Sequence, residues 1–350
     1  MALLTDATLN DIHSVLQQRN SNLQSLVTAT APSTWKKIQD DVKRGKGTDY
    51  AIGTELTCKY TVGNTEYDFP WVVVDNNRTV YWEDDSAHPG IILQAKYATL
   101  ESIQFDAAED TTVDSATEPT AVDGWYYWGL AGTTYTALNL SAGDTIPFSS
   151  YDSVHKCGKN NLDVLRYGYN RYRDSAYRQW INSNMPKNYW WESTHLGDKA
   201  PSQHSTTDGF LLGLDSDFLQ VINKTKIQVA TNTVTDGGVT DVMYDKFWLP
   251  SVEEMYGSPQ TAGVEGAYFP YWKTKTGLSA PSNSANDGRK QYALENHNSA
   301  QTVRCRSASR GNGADAWNCI TTGELNNNNS NNSNRSVPDR LYTILIEVCA

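Results

Sequence analysis

The sequence predicts an α+β fold in which short helices pack beside a mainly antiparallel sheet. Alternating apolar and polar residues indicate strands along much of the chain beyond residue 52. Several short segments begin with a capping Ser or Asp and then carry apolar residues at helical spacing. The remaining stretches are rich in Ser, Asn and Gly, and the chain closes on a strand-like segment. Irregular structure closed by such a strand is an α+β pattern.

Length, composition and charge limit the kinds of protein this chain can be. Its 350 residues, 39% of them hydrophobic, are enough for a core in one large or two ordinary domains. The net charge of −11, without clusters of Lys and Arg, argues against nucleic acid as a partner. The first residues lack the regions of a signal peptide, and no apolar run could span a bilayer. We therefore expect synthesis in a bacterial cytoplasm without a signal peptide, and no membrane insertion.

The N-terminal helical segment, residues 1–48, begins with a short heptad pattern. Leu9, Leu16 and Leu23 recur every seven residues, with Ile12 and Leu26 on companion positions. Such a seam fits either self-association of identical chains or packing within one chain, and both interpretations stay open. We expect the segment to join identical chains or to dock on a larger particle such as a virion.

A second helix is predicted directly after Pro32. Trp35, Ile38 and Val42 share one face of this helix, and Gly45 follows its end. A linker then ends the N-terminal segment at about residue 48.

The remaining residues, 49–350, form the predicted ligand-binding domain. Strands are predicted at Glu55–Val62, Pro70–Asp75 and Gly90–Leu93, where apolar residues alternate or cluster. An acidic, Thr-rich stretch and a following aromatic run then indicate an insertion of strands and loops at about residues 101–150.

Capping residues predict three short helices in this domain. Asp174, Asp215 and Ser251 each precede apolar residues at helical spacing. Ser251 and Glu254 also form a capping-box pattern, which Gly257 closes. Further strands are predicted at residues 226–234, 241–249 and 341–348.

One segment, residues 301–338, stands apart in composition. Its run from Asn326 to Asn334 consists almost entirely of Asn and Ser. Such tracts bury no apolar surface and are often disordered. This tract, however, lies between Trp317 and the terminal strand, a setting that would hold it as an ordered surface turn or hairpin. We therefore expect ordered display.

Four motifs give the chain a resemblance to a known family. They are residues 169–183 (YNRYRDSAYRQWINS), 209–215 (GFLLGLD), 246–254 (KFWLPSVEE) and 304–317, which begins RCRS and ends AW. In this order they resemble a set found in C-type-lectin-like proteins of gut phages and prophages, some of which are variable proteins of diversity-generating retroelements. The resemblance covers about residues 50–350 and implies a C-type-lectin-like fold. Where that family usually reads Gly-Val-Arg-Pro after the variable segment, this chain reads Arg335-Ser-Val-Pro338.

The same resemblance implies a role for the Asn-rich segment. These retroelements mutate adenines, so an Asn codon changes at two positions without producing a stop codon, and Asn is the unmutated state. The implied ligand-binding surface consists of Asn312, Asp315, Asn318, Asn326, Asn327, Asn328, Asn329, Ser330, Asn331, Asn332 and Asn334. A fixed Asn-rich loop is the alternative, and it would still suit polar recognition because each amide offers a donor and an acceptor.

Three residues of the same stretch, Arg304, Arg306 and Trp317, are expected to act as scaffold rather than as ligand contacts. A guanidinium fork and an indole can tie loops to backbone carbonyls. Tyr271 and Trp272 are weaker candidates, as aromatic neighbours of the binding face.

No metal or cofactor is predicted. The six histidines show no metal-ligand spacing, and the five cysteines form no CxxC pair. Of the calcium-binding motif Trp-Asn-Asp, which C-type lectins that bind sugars carry, only Trp317-Asn318 is present, and Cys319 follows.

The expected function is recognition of a host cell-surface protein or glycan by a phage or prophage protein at the virion surface, without enzymatic activity. A structural virion protein that binds no ligand is one alternative. The other is an oxidase that resembles formylglycine-generating enzymes, in which Cys305 and Cys319 would have to serve as the redox residues.

Overall fold

The computed structural model combines short helices with antiparallel strands, so the α+β class is confirmed. It describes residues 13–17, 34–113, 117–158, 162–258, 264–279, 281–331 and 342–345. Residues 13–17 are helical, and the other α-helices are α1 (Thr34–Lys43), α2 (Leu162–Tyr167), α3 (Ala176–Ile181), α4 (Ser216–Gln220), α5 (Val252–Tyr256) and α6 (Pro270–Thr276). Turns of 3₁₀ helix lie at Gly47–Asp49, Phe148–Ser150, Tyr172–Asp174, Ser202–Ser205, Phe210–Gly213 and Asp287–Arg289. No helix among the described residues is both long enough and apolar enough to cross a membrane.

Sixteen strands are defined in this part of the chain. They are β1 (Glu55–Val62), β2 (Thr65–Tyr81), β3 (Ala87–Ala95), β4 (Thr111–Thr112), β5 (Tyr126–Ala131), β6 (Thr134–Leu138), β7 (Ser153–Cys157), β8 (Thr225–Ala230), β9 (Thr240–Asp245), β10 (Phe247–Trp248), β11 (Gln291–Tyr292), β12 (Ala300–Gln301), β13 (Val303–Ala308), β14 (Asp315–Cys319), β15 (Leu325–Asn329) and β16 (Tyr342–Leu345).

The largest sheet has five strands in the order β1-β2-β3-β16-β10. Strand β16 therefore lies between β3 and β10, so the segment nearest the C-terminus completes the sheet. The predicted terminal strand is confirmed at Tyr342–Leu345, and the rest of its predicted range lies outside the described residues.

Helix α1 packs on this sheet through an aromatic stack. The ring of Trp35 lies 4.5 Å from that of Phe218, which in turn lies 5.1 Å from the ring of Trp71 on β2. Ile38 and Val42 are buried with Trp35, as their shared face predicts. The division at residue 48 is thus wrong for α1, because burial of its apolar face makes this helix part of the main hydrophobic core.

A second, smaller sheet has the strand order β4-β7-β5-β6 and falls largely within the predicted insertion at residues 101–150. The last of its strands along the chain, β7, ends at Cys157 and so lies beyond the predicted insertion. The sheet has a hydrophobic cluster of its own, formed by Val113, Ala121, Tyr127, Ile146 and Val154.

Two of the three predicted helix caps need correction. Helix α3 is capped by the Ser175 hydroxyl, which accepts from the Arg178 amide, and not by Asp174. The Asp215 carboxylate makes no capping hydrogen bond on α4 and instead accepts from the backbone amide of Lys59 at 2.6 Å. The third prediction is confirmed, since α5 begins with a complete capping box and ends at a left-handed Gly257.

Candidate functional site

The Asn-rich tract is part of a three-stranded antiparallel sheet in the order β13-β14-β15. Strand β15 pairs with β14 and forms the edge of this sheet within the described residues. The expectation of ordered structure is confirmed for residues 326–331, whereas Asn332 and Asn334 lie outside the described part of the chain.

Three side chains of the tract, those of Asn326, Asn327 and Asn328, are exposed, and that of Asn329 is half-buried. Residues directly opposite each other on paired strands share a face of the sheet. Asn327 is opposite Trp317, so the two lie on one face. Asn326 and Asn328 lie on the other, and the edge strand therefore presents amides on both faces.

Arg304 holds the backbone of this edge strand in place. Its Nη1 donates to the carbonyl oxygens of Ala316 at 3.2 Å and Asn328 at 3.0 Å, and its Nη2 donates to that of Asn329 at 2.9 Å. The side chain is buried on β13 and reaches across β14. The scaffold role expected of Arg304 agrees with these contacts, because its planar fork satisfies carbonyls on two strands at once.

The turn before β14 is fixed by Asn170, a residue that the sequence did not single out. The Nδ2 of this buried asparagine donates to the carbonyl oxygens of Asn312 and Asp315, at 2.7 Å each. Its Oδ1 accepts from Nδ2 of the buried Asn232, whose own Oδ1 accepts from the backbone amides of residues 234 and 235. These two asparagines make a polar network that joins three loops.

Asn312, Asp315 and Asn327 form one polar group at the surface. The Asp315 carboxylate accepts from the amides of Asn312 at 3.2 Å and Asn327 at 3.5 Å, and Asn312 and Asp315 are half-buried. Burial raises the pKa of Asp315 above its usual value, and the charge of Asp163 adds to the increase. Residues from the turn and from the edge strand therefore meet in one patch.

Asn318 and Ser330 are not part of an exposed surface, which corrects the sequence-based prediction. They are only 2% and 0% exposed. Asn318 lies on the middle strand, between Arg304 of β13 and Asn326 of β15. The amide and hydroxyl of Ser330 both donate to the carbonyl oxygen of Ala314, which fastens the end of β15 to the turn before β14.

Asn331 also acts as an anchor rather than as a displayed side chain. Its backbone amide donates to the carbonyl oxygen of Tyr167 at 2.7 Å, and its Nδ2 donates to that of Arg166 at 3.1 Å. Its own carbonyl oxygen accepts from Nε2 of Gln104. The binding residues expected from the sequence thus divide into an exposed group and an anchoring group.

Arg306, on strand β13, lies in a buried ionic network. Its guanidinium donates to both carboxylate oxygens of Glu254, at 2.6 and 3.1 Å, and to the carbonyl oxygens of Leu249 and Glu265. Burial raises the pKa of the adjacent Glu265 carboxyl to about 7, although the charge of Arg306 opposes the shift. The contacts agree with a scaffold role for Arg306.

The expected role of Trp317 needs a different physical reason. Its indole Nε1 is buried and makes no hydrogen bond to the described residues, so this side chain does not tie a loop to a carbonyl. It is half-buried and packs against the main hydrophobic core. Trp272 is fully buried, which rules it out as an aromatic contact of the binding face, whereas Tyr271 is half-buried.

Two groups of side chains are relevant to whether the protein could hold a redox site or a metal ion. Cys305 and Cys319, the thiols that an oxidase would require, are both completely buried on adjacent strands. A different group, formed by Asp106, His195 and Asp198, places one potential metal ligand from each residue within 4.8 Å of the others. Sequence spacing could not reveal this group, because Asp106 lies far from the other two residues along the chain.

The comparisons with known proteins concern the C-terminal half of the chain. A family model described as "Domain of unknown function (DUF6273)" matches residues 152–340, a range that contains the whole β13-β14-β15 sheet and both network asparagines. No curated protein and no solved structure matches the chain. Because the family model covers more than half of the 350 residues, the chain belongs to the DUF6273 family.

Proposed function

We propose that this protein recognises a host cell-surface protein or glycan through a polar surface, as a phage or prophage protein displayed on the virion. The scaffold is proposed to be C-type-lectin-like, and the protein is proposed to have no enzymatic activity. The corrected binding surface consists of Asn312, Asp315, Asn326, Asn327, Asn328 and Asn329, with Asn332 and Asn334 retained from the sequence.

The observation that carries this proposal is that β15 exposes its asparagine side chains while other residues hold its backbone in place. Asn326, Asn327 and Asn328 are exposed, while Arg304 and Ser330 fix the strand through the contacts described above. Exposed polar substitutions usually change the free energy of unfolding by about 0.5 kcal/mol or less. Such side chains can therefore vary to suit different ligands while the fold stays unchanged, which is what a variable recognition surface needs.

The burial of Cys305 and Cys319 disfavours the oxidase alternative, because a redox site must admit its substrate to the thiolate. A structural virion protein without a ligand would also tolerate changes in β15. The two remaining functions differ in whether those changes alter binding to cells.

The test is a library in which Asn326, Asn327 and Asn328 are randomised together in the full-length chain. We expect most members to fold with unchanged melting temperature and their binding to a panel of gut bacterial cells to differ from that of the parent. Asn298, an exposed asparagine in the turn before β12, is the matched control, and N298A should bind as the parent does. If the parent and all folded members show the same binding, including none at all, the recognition function is wrong.

A further inference from the structure

A buried cluster of one histidine and several carboxylates lies where the loop at residues 193–199 meets the segment before β4. Besides Asp106, His195 and Asp198 it includes Glu109, whose Oε1 lies 2.5 Å from Nε2 of His195. Asp106 is 1% and Glu109 is 0% exposed, and the side chains of His195 and Asp198 are 10% and 0% exposed. Isolated charges are strongly disfavoured at such burial, so this group needs compensation.

The local contacts hold these side chains in fixed orientations. Asp106 Oδ2 accepts from the Tyr169 backbone amide at 2.8 Å. Asp198 Oδ2 accepts from the backbone amide and the hydroxyl of Thr194, at 2.8 and 3.1 Å. The ring of Tyr169 packs edge-on against that of His195, with centroids 5.5 Å apart. The cluster is therefore preorganised by contacts outside it.

Two features indicate a cation at this point. The Oδ1 of Asp198 is buried and accepts no hydrogen bond from the described residues. If Nε2 of His195 carries the proton donated to Glu109, Nδ1 presents a lone pair, and this Nδ1 lies 3.0 Å from the Thr194 hydroxyl and 3.7 Å from Oδ2 of Asp198. The one proton of that hydroxyl can be donated to Nδ1 or to Oδ2 of Asp198 but not to both, so one of these two acceptor positions stays open to a cation. A histidine that binds a metal through one ring nitrogen also commonly donates the N–H of its other ring nitrogen to a carboxylate.

We propose that Asp106, His195 and Asp198 bind a divalent transition metal ion, with Glu109 orienting His195. One imidazole and two carboxylates suit Zn²⁺ or Mn²⁺. Ca²⁺ takes oxygen ligands alone, so the imidazole disfavours it. This site departs from the expectation of no metal, which rested on the lack of short-range ligand spacing in the sequence.

The position of the site suggests what the metal does. The backbone amide of Asp106 donates to the carbonyl oxygen of Ser330 at 3.2 Å, so the proposed ligand is adjacent to the residue that anchors the end of β15. A metal bound here ties the segment before β4 to the loop at residues 193–199 and supports that anchor. The role is structural and does not depend on what the exposed asparagines bind.

The alternative is a protonated His195 that pairs with Glu109 and Asp198 without a metal. The two arrangements differ in metal content and in the protonation of the ring. In the proposed site Nδ1 of His195 is bound to the metal, whereas in the alternative both ring nitrogens carry protons.

The first experiment uses the wild-type full-length chain. After chelation and dialysis, we expect one equivalent of Zn²⁺ to bind, measured by calorimetry and by elemental analysis, and to raise the melting temperature. Co²⁺ should give visible absorption bands from an ordered site, and Ca²⁺ should compete with neither ion. The absence of stoichiometric Zn²⁺ and Mn²⁺ binding by the wild-type protein would overturn the proposal without any variant.

The second experiment locates the site. D198N and H195Q should each lose at least about tenfold in Zn²⁺ affinity, since even residues that only orient metal ligands typically contribute that much. The matched control is H155Q, because His155 makes a comparable contact with Asp110 outside the cluster, 2.5 Å from Nδ1 to Oδ1. Unchanged Zn²⁺ affinity in D198N and H195Q, or an equal loss in H155Q, would place the metal elsewhere and contradict the assignment. If the variants do not fold, the His195 ring nitrogen resonances of the wild-type protein with and without Zn²⁺ decide the question, and an unchanged spectrum contradicts it.

Discussion

The side-chain amide of Asn170 lies 2.7 Å from the carbonyl oxygen of Asp315, although 145 residues separate them in the chain. This contact connects the first motif of the family resemblance to the strand that presents the candidate binding surface. It also explains why the turn before β14 can be exposed and still keep a fixed shape. The asparagine that positions the surface is itself completely buried.

Replacement of Asn170 by Ala should destabilise the protein. The change leaves the carbonyl oxygens of the half-buried Asn312 and Asp315 and the Nδ2 of the buried Asn232 without this partner, and a polar group left unsatisfied in the interior costs about 1–3 kcal/mol. We expect a loss of roughly 2–4 kcal/mol in urea unfolding. N298A is the exposed control and should change the free energy of unfolding by less than about 0.5 kcal/mol. Equal stability of N170A and N298A would contradict this prediction.

Arg304 and Asn327 should respond to substitution in opposite ways. R304A removes the donor of three carbonyl contacts, and R304K cannot replace the fork because an ammonium lacks its planar geometry. We expect R304A to lose roughly 2–4 kcal/mol of stability and R304K to recover only part of it. N327A should melt as the wild type does, because its side chain is exposed. Thermal melts of the three variants test this, and a stable R304A would show that β15 is held by other contacts.

The stability of the protein should fall between about pH 4.5 and pH 7 through the titration of Glu265. Burial raises the folded-state pKa of this carboxyl to about 7 from an ordinary value of 4.5. The folded protein thus keeps a proton that the unfolded chain has released, so stability is lost as the pH rises through that window. E265Q should flatten this slope in urea unfolding at several pH values. The exposed carboxyl of Asp287 serves as control, and a D287N curve as flat as that of E265Q would contradict the assignment.

Removal of helix α1 should unfold the main sheet, whereas removal of the residues before it should not. Trp35, Ile38 and Val42 are at most 6% exposed, and burial of each such side chain contributes about 1.5–3 kcal/mol. A chain that starts at residue 34 should keep its melting temperature, and one that starts at residue 44 should lose it. Circular dichroism distinguishes the two, and a folded chain from residue 44 would show that α1 is dispensable.

Self-association through the heptad seam remains a separate prediction. Of its five apolar positions only Leu16 lies among the described residues, where it is 54% exposed. We expect light scattering to detect an oligomer of the full-length chain that disappears when residues 1–30 are removed. If both forms are monomers of unchanged stability, the seam does not join identical chains.

The local sequence determined those elements that depend only on residues close together in the chain, such as helix caps and the apolar face of a helix. The capping box of α5 needs only Ser251 and Glu254, which are three residues apart, and Gly257 ends the same short helix. Both features are present as expected. The apolar face of α1 could be predicted from the sequence because helical periodicity alone places Trp35, Ile38 and Val42 together. The order of the Asn-rich tract, which is described as far as residue 331, was also expected, from its position between Trp317 and a strong terminal strand.

Only the tertiary structure decided which polar residues of the candidate site are exposed. Asn318 and Asn327 are the same residue type in neighbouring strands, yet one is buried and the other exposed, because β14 lies between two strands whereas β15 is the edge strand within the described residues. Asn170, Asn232 and the cluster of Asp106, His195 and Asp198 depend on contacts between distant segments, and such contacts leave no periodic signal in the chain. Burial and long-range pairing belong to the packed molecule, so the sequence determined the elements and the packing determined the site.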